Sequence, residues 1–258
     1  MAEDVLLEIS DRVARVTLNR PDRLNTMAIE TVDALCDALA EVGASDARVV
    51  VLAGNGRVFC AGADQAEMFE RSAGDWERIV RRYLDPVRAL ISLPQPVIAA
   101  LHGDAVGGGF GLALACDIRV AAEGVRLGSP FVPIGLAGCD MAAGWFLPRY
   151  LGLGRATELM MTGRLIKAAE AFELGLVTQV AAVDQFETAT QAWVDRLAAG
   201  PPLAQAWTKR AIHRSLNSDM EAEFEFEILA QVQCLQTADH REGIAAFRQK
   251  RRPEFSGE

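Results

Sequence analysis

Apolar and polar residues alternate through residues 4–19, DVLLEISDRVARVTLN, with a polar break at Asp11 and Arg12. A period of two predicts a pair of strands around a turn. Met27, Ile29, Val32, Leu35, Cys36 and Leu39 then recur at helical spacing, so a helix is predicted over 27–39. Residues 48–53, RVVVLA, are nearly all apolar and stop at Gly54-Asn55-Gly56. Such a run reads as a strand covered on both faces by helices. A helix is predicted over about 75–92, with Pro86 set to kink or restart it. Residues 97–101 form another buried strand. Gly107-Gly108-Gly109 then opens an apolar helix to about Ala115, and 117–121 is one more strand.

This rhythm of strands and helices predicts an α/β core. Residues 124–148 are rich in Gly and Pro and read as loops suited to building a site. Beyond Leu151 the pattern is almost entirely helical, over 153–162, 167–174, 184–199, 203–215 and 219–237. The expected organisation is a core over 1–200 and a helical C-terminal region over 201–258.

Charge and cysteine content narrow the function classes. Lys plus Arg is 26 against 35 Asp plus Glu, a net charge of −9, so no nucleic-acid partner is expected. Five scattered cysteines without a C-x-x-C pair argue against a disulfide framework and for a reducing compartment. Three distant histidines offer no metal-ligand spacing. The start, MAEDVLLEIS, lacks a basic stretch leading into an apolar one, and no apolar run reaches spanning length. A cytoplasmic protein with no membrane partner is expected.

Two glycine-containing segments follow buried strands: Gly56-Arg-Val-Phe-Cys-Ala-Gly-Ala-Asp64 and His102-Gly-Asp-Ala-Val-Gly-Gly-Gly-Phe-Gly111. A triple glycine before a helix leaves backbone N–H groups open to an anion, or simply lets helix pack closely on sheet. G-x-G-x-x-G spacing fails, because Leu112 or Leu114 stands where the last glycine is needed. Asp140, ahead of Trp145-Phe146-Leu147, reads either as a helix cap or as a carboxylate held in an apolar pocket for proton transfer. Asp64, Asp104 and Asp117 read as structural, and Cys60 and Cys139 as small apolar residues rather than nucleophiles. Lys209, Arg210 and Arg214 form a basic helix face that is either solvated or in reach of a ligand phosphate.

Taken together, the segments resemble the crotonase family, the enoyl-CoA hydratases and isomerases. The resemblance runs through Leu18-Asn-Arg-Pro-Asp-Arg-Leu-Asn25, Phe59-Cys-Ala-Gly-Ala-Asp64, the Gly107-Gly108-Gly109 run, Ala115-Cys-Asp-Ile118, Glu242-Gly-Ile-Ala-Ala-Phe247 and Pro253-Glu-Phe255. It implies an α/β fold, a spiral of ββα turns with a helical C-terminal region, assembled as a homotrimer or a dimer of trimers. It implies an acyl-coenzyme A thioester as substrate, with no separate cofactor. The thioester oxygen is expected between the N–H groups of Ala61 and Gly108. Coenzyme A is expected along Arg23, Leu24 and Asn25, its adenine near Ala61 and Ala63, with Asp64 and Phe131 lining the site. Lys209, on a C-terminal helix, is expected to reach the phosphates.

The chain departs from the hydratases that resemble it at both acid positions, where Gly111 and Phe131 stand. The stretch from Gly135 to Arg149 resembles family branches with one aspartate seven residues before Leu-Pro-Arg, including the ring-epoxide isomerase of phenylacetate breakdown; Asp140 matches that residue. The expected reaction is a double-bond shift with Asp140 moving the proton. Water addition, thioester hydrolysis and non-catalytic acyl-CoA binding are the alternatives.

Overall fold

The computed structural model describes residues 3–258; Met1 and Ala2 of the N-terminal stretch read above lie outside the described residues. The predicted pair of strands is β1 (Val5–Ser10) and β2 (Val13–Leu18), joined through Asp11 and Arg12 in left-handed conformation. Helix α1 spans Ile29–Ala44, five residues beyond the predicted end, because Val42 also buries completely. Strand β3 (Val49–Gly54) follows. Pro86 does restart the next helix: α2 (Ala73–Tyr83) and α3 (Asp85–Ser92) are separate, with Pro86 in the first turn of α3, where its missing N–H costs nothing.

Next come β4 (Val97–Leu101), β5 (Ala105–Val106), α4 (Gly108–Ala115), β6 (Ile118–Ala122) and β7 (Arg126–Gly128). Helix α5 (Ala143–Thr162) breaks at Gly152. The chain continues through β8 (Ile166–Lys167), α6 (Ala168–Glu173), β9 (Gln179–Ala181), α7 (Phe186–Ala198), α8 (Pro202–Ser215), α9 (Met220–Leu235) and α10 (Ala238–Gln249).

The main sheet has the order β1-β2-β3-β4-β6-β9 among the described residues, antiparallel between β1 and β2 and parallel thereafter. A smaller sheet, β5-β7-β8, packs beside it. Every residue of β4 is buried, as its apolar run required. Helix α4 is buried along its whole length, wedged between elements rather than lying on the surface. The expectation of an almost entirely helical stretch beyond Leu151 is corrected by β8 and β9. Both are too short to show a period; β9 exists because β6 offers it an edge, with Ala121 registered on Val180.

The C-terminal helices differ from the core in burial. Helix α9 buries none of its residues, and Phe224, Ile228, Leu229, Val232 and Leu235 are exposed along it. No helix of the described residues is long and apolar enough to cross a membrane, and no group of three His, Cys, Asp or Glu side chains in them could hold a metal ion.

Candidate active site

The extended segment Cys60–Ala63 runs between two cavities. On one side lies a cleft of about 580 Å³ lined by Leu24, Arg57, Ala61 and His102 among others. On the other lies a larger, apolar cavity of about 950 Å³, to which Ala63, Gly108, Phe131 and Asp140 all contribute.

Backbone direction decides which amides are free. Ala61 N–H donates to Leu24 O at 3.1 Å, so the amide expected to serve with Gly108 is already engaged. Two residues on, Met27 N–H donates to Gly62 O (2.8 Å) and Asp64 N–H donates to Met27 O (2.9 Å), which leaves Ala63 N–H pointing away from Met27. In a regular strand Ala61 and Ala63 would point their N–H groups the same way. Gly62, at φ +97°, shifts that parity. Ala63 N–H has no acceptor among the described residues, and neither has Gly108 N–H at the start of α4. Gly62 and Gly108 are in close approach: a Cβ on Gly62 would lie 3.2 Å from Gly108 N. Two unpaired amides therefore border the apolar cavity, and the residue expected as Ala61 is corrected to Ala63. Gly62 is visible in the sequence, but the positive φ that decides which amide is free is not.

Asp140 sits on a tight turn. Met141 and Ala142 both adopt left-handed conformations (φ 50° and 63°) before α5 begins. The capping position of α5 is Ala142, with no side-chain cap, so Asp140 is not the helix cap. Its Oδ1 accepts Met141 N–H at 2.8 Å; its Oδ2 has no partner among the described residues, and no cation pairs with it. Among the cavity's lining residues it is the only charged side chain.

Gly111, where a hydratase acid was missed, is not an empty position. A Cβ there would run into the carbonyl oxygen and Cβ of Met141, which is itself buried. The turn carrying Asp140 packs directly on α4 at Gly111, where the missing side chain makes room for Met141. Phe131 lines the cavity close to Gly107 and adds apolar surface, with no group to exchange a proton.

Several expected ligand contacts are structural instead. Asn25 is fully buried; its amide nitrogen donates to Asn55 O, Val58 O and Phe59 O, and its Oδ1 accepts Arg20 N–H. It clamps the 20–25 loop to the segment that leads into Cys60. Asp64 is buried, pairs with Arg20 at 2.9 Å and accepts Ala66 N–H. Burial pushes its carboxyl up, but the Ala66 N–H and the Arg20 guanidinium more than offset this and hold it below the ordinary carboxylate value. Leu24 and Ala61 share the smaller cleft, with exposed Arg57 beside them; Arg23 is largely exposed and 3.8 Å from Asp64.

Lys209 is neither a solvated basic residue nor a phosphate contact in this fold. It is 6% exposed, and its Nζ donates to Leu90 O (2.8 Å) and Gln95 O (3.0 Å) and pairs with Asp117 at 2.9 Å. Cys60 is buried, its thiol pushed up to about 12 by that burial, which removes it as a nucleophile. His102 Nε2–H donates to Gly56 O (2.9 Å), a turn contact.

A sequence profile of enoyl-CoA hydratases/isomerases matches residues 8–258. The chain belongs to the enoyl-CoA hydratase/isomerase family. The 1,2-epoxyphenylacetyl-CoA isomerase of Escherichia coli is 35% identical over the full length of both chains. The short-chain-enoyl-CoA hydratase of Clostridium acetobutylicum is 34% identical over 97% of both. The crystal structure of an enoyl-CoA hydratase from Bacillus anthracis superposes with a TM-score of 0.93 at 35% identity, covering 99% of this chain and 100% of that one. The crotonase fold expected from the motifs is thus the fold of this family member, and the protein is a crotonase-family enzyme. An isomerase and a hydratase stand at nearly equal identity, so overall likeness does not choose between the two reactions.

Proposed function

We propose that this enzyme shifts a double bond in an enoyl-CoA by proton transfer through Asp140. The observation that carries the reading is the composition of the apolar cavity: two free backbone amides, Ala63 and Gly108, and a single charged side chain, Asp140. Asp140 as carboxylate removes a proton from the acyl chain. Charge moves to the thioester oxygen, where the Ala63 and Gly108 N–H groups receive it. Protonated Asp140 returns the proton at another carbon of the conjugated system.

Each amide donor contributes roughly 3–4 kcal/mol in the transition state, and positioned proton transfer contributes about 10²–10⁴-fold. Water addition in the two-acid manner lacks both its acids here, since Gly111 lies against Met141 and Phe131 is apolar. The smaller cleft, with Leu24, Arg57 and Ala61, suits the coenzyme A portion. The unburied apolar face of α9 suits a second copy of the chain, in a trimer or a dimer of trimers. With Lys209 occupied by Asp117, phosphate contacts fall to other cations.

The test is product identity. In ¹⁸O-labelled water a 3-enoyl-CoA should give a 2-enoyl-CoA without label, while crotonyl-CoA should stay largely unhydrated. Labelled 3-hydroxyacyl-CoA formed from crotonyl-CoA at a rate matching or exceeding isomerisation would make the enzyme a hydratase instead.

A further inference from the structure

Helix α2 carries an apolar stripe that the described residues cover only in part. Trp76, Ile79, Val80 and Tyr83 recur at helical spacing, yet Tyr83 is the only residue of α2 that is buried. All four line the same cavity as Asp140, and Leu136 and Trp145 face them from the turn before α5 and from α5 itself. Val80 and Leu136 are exposed although both are large and apolar.

We propose that this stripe is the seat of a long, unbranched or ring-bearing acyl group of about eight carbons or more, with no charge at its far end. The proposal rests on the reading of this cavity as an acyl-thioester site. The cavity, about 950 Å³, lies at the upper end of the roughly 300–1,000 Å³ that enclose drug-sized ligands. A four-carbon acyl group anchored at Ala63 and Gly108 leaves most of that wall in water. Among the described residues no Lys, Arg or His lines the cavity, so a carboxylate laid against this wall loses water without gaining a cation. Tyr83 adds no free polar handle, because its hydroxyl donates to Met27 O at 2.8 Å.

Each methylene moved from water onto such a wall is worth roughly fourfold in affinity before the cost of ordering the chain. Titration calorimetry on the full-length protein with saturated butanoyl-, octanoyl-, dodecanoyl- and octanedioyl-CoA reads this without any chemistry. Kd should tighten at least about thirtyfold from butanoyl to dodecanoyl, and octanedioyl-CoA should bind at least about tenfold more weakly than octanoyl-CoA. Val80→Asp, at an exposed position, should cost dodecanoyl-CoA at least about tenfold more affinity than it costs butanoyl-CoA. Butanoyl- and dodecanoyl-CoA binding within about threefold of each other, or a Val80→Asp penalty equal for both, would overturn the proposal. If the length trend holds while 3-enoyl-CoA is not turned over, the acyl class stands and the isomerase reading falls.

Discussion

Asp117 and Asp140 both lie at the ends of helices around one core, and the protein uses them in opposite ways. Asp117 follows α4, and its oxygens are filled by protein: Val97 N–H donates to it at 2.8 Å, Lys209 pairs at 2.9 Å and His213 approaches at 3.5 Å. Burial pushes its carboxyl up, but His213, Lys209 and the Val97 N–H hold it below the usual carboxylate range. Asp140 precedes α5, accepts only its neighbour's N–H among the described residues and lines an apolar cavity. A carboxylate whose lone pairs are all satisfied fastens elements together. One left with an unpaired oxygen, in a cavity that two unpaired amides also border, is the group to which the proposed reaction gives the proton transfer.

The comparison breaks most visibly at Asp117. Asp117→Asn strands the buried Lys209 ammonium and should cost about 3–5 kcal/mol of stability at pH 7, read by urea unfolding, while folded protein keeps its turnover. The sign with pH follows from the lowered carboxyl. The contribution of Asp117 is complete above the ordinary carboxylate value near pH 4 and is lost as acid protonates it, so wild type and variant should converge in stability as the pH falls. Divergence in acid would contradict the pairing.

Gly111→Glu sharpens the other side. Its side chain must displace Met141, so a stability loss of about 1–3 kcal/mol is expected. Isomerase turnover should fall with the displaced Asp140 turn, and no hydratase activity should appear. Gain of hydration with the Asp140 turn unmoved would show that the missing acid alone separates the reactions. The smallest effect on ligand binding is expected at Lys209→Met, which should lower the melting temperature by leaving Asp117 without its ammonium yet change coenzyme A affinity by less than about twofold, because Lys209 is engaged by Asp117.

The long-period features of this fold were legible in the sequence. Alternation in 4–19 and the apolar runs at 48–53 and 97–101 are set by burial, and burial is written in residue type. What was not legible depends on backbone direction and on partners distant in sequence. Ala61 and Ala63 differ in no side-chain property; the turn at Gly62 decides which amide is free. Lys209 sits on a helix with Arg210 and Arg214 and reads as part of a basic face, until the fold brings Leu90, Gln95 and Asp117 to it from over 90 residues away. Asn25 likewise looked like a loop residue facing a ligand, and it is a buried clamp because three carbonyls from 55–59 converge on its amide. Asp140 was legible as a candidate from the apolar run that follows it and from its match to the single-aspartate branches, and among the described residues no cation pairs with it.

The claim that Asp140 moves the proton is tested most directly by comparing wild type and Asp140→Asn for 3-enoyl-CoA turnover, acyl-CoA affinity and thermal stability on the same preparations. Turnover should drop by at least about 100-fold, with affinity and melting temperature nearly unchanged, since Asp140 makes no ion pair among the described residues and does not cap α5. Turnover of the variant within a few-fold of wild type would contradict the account.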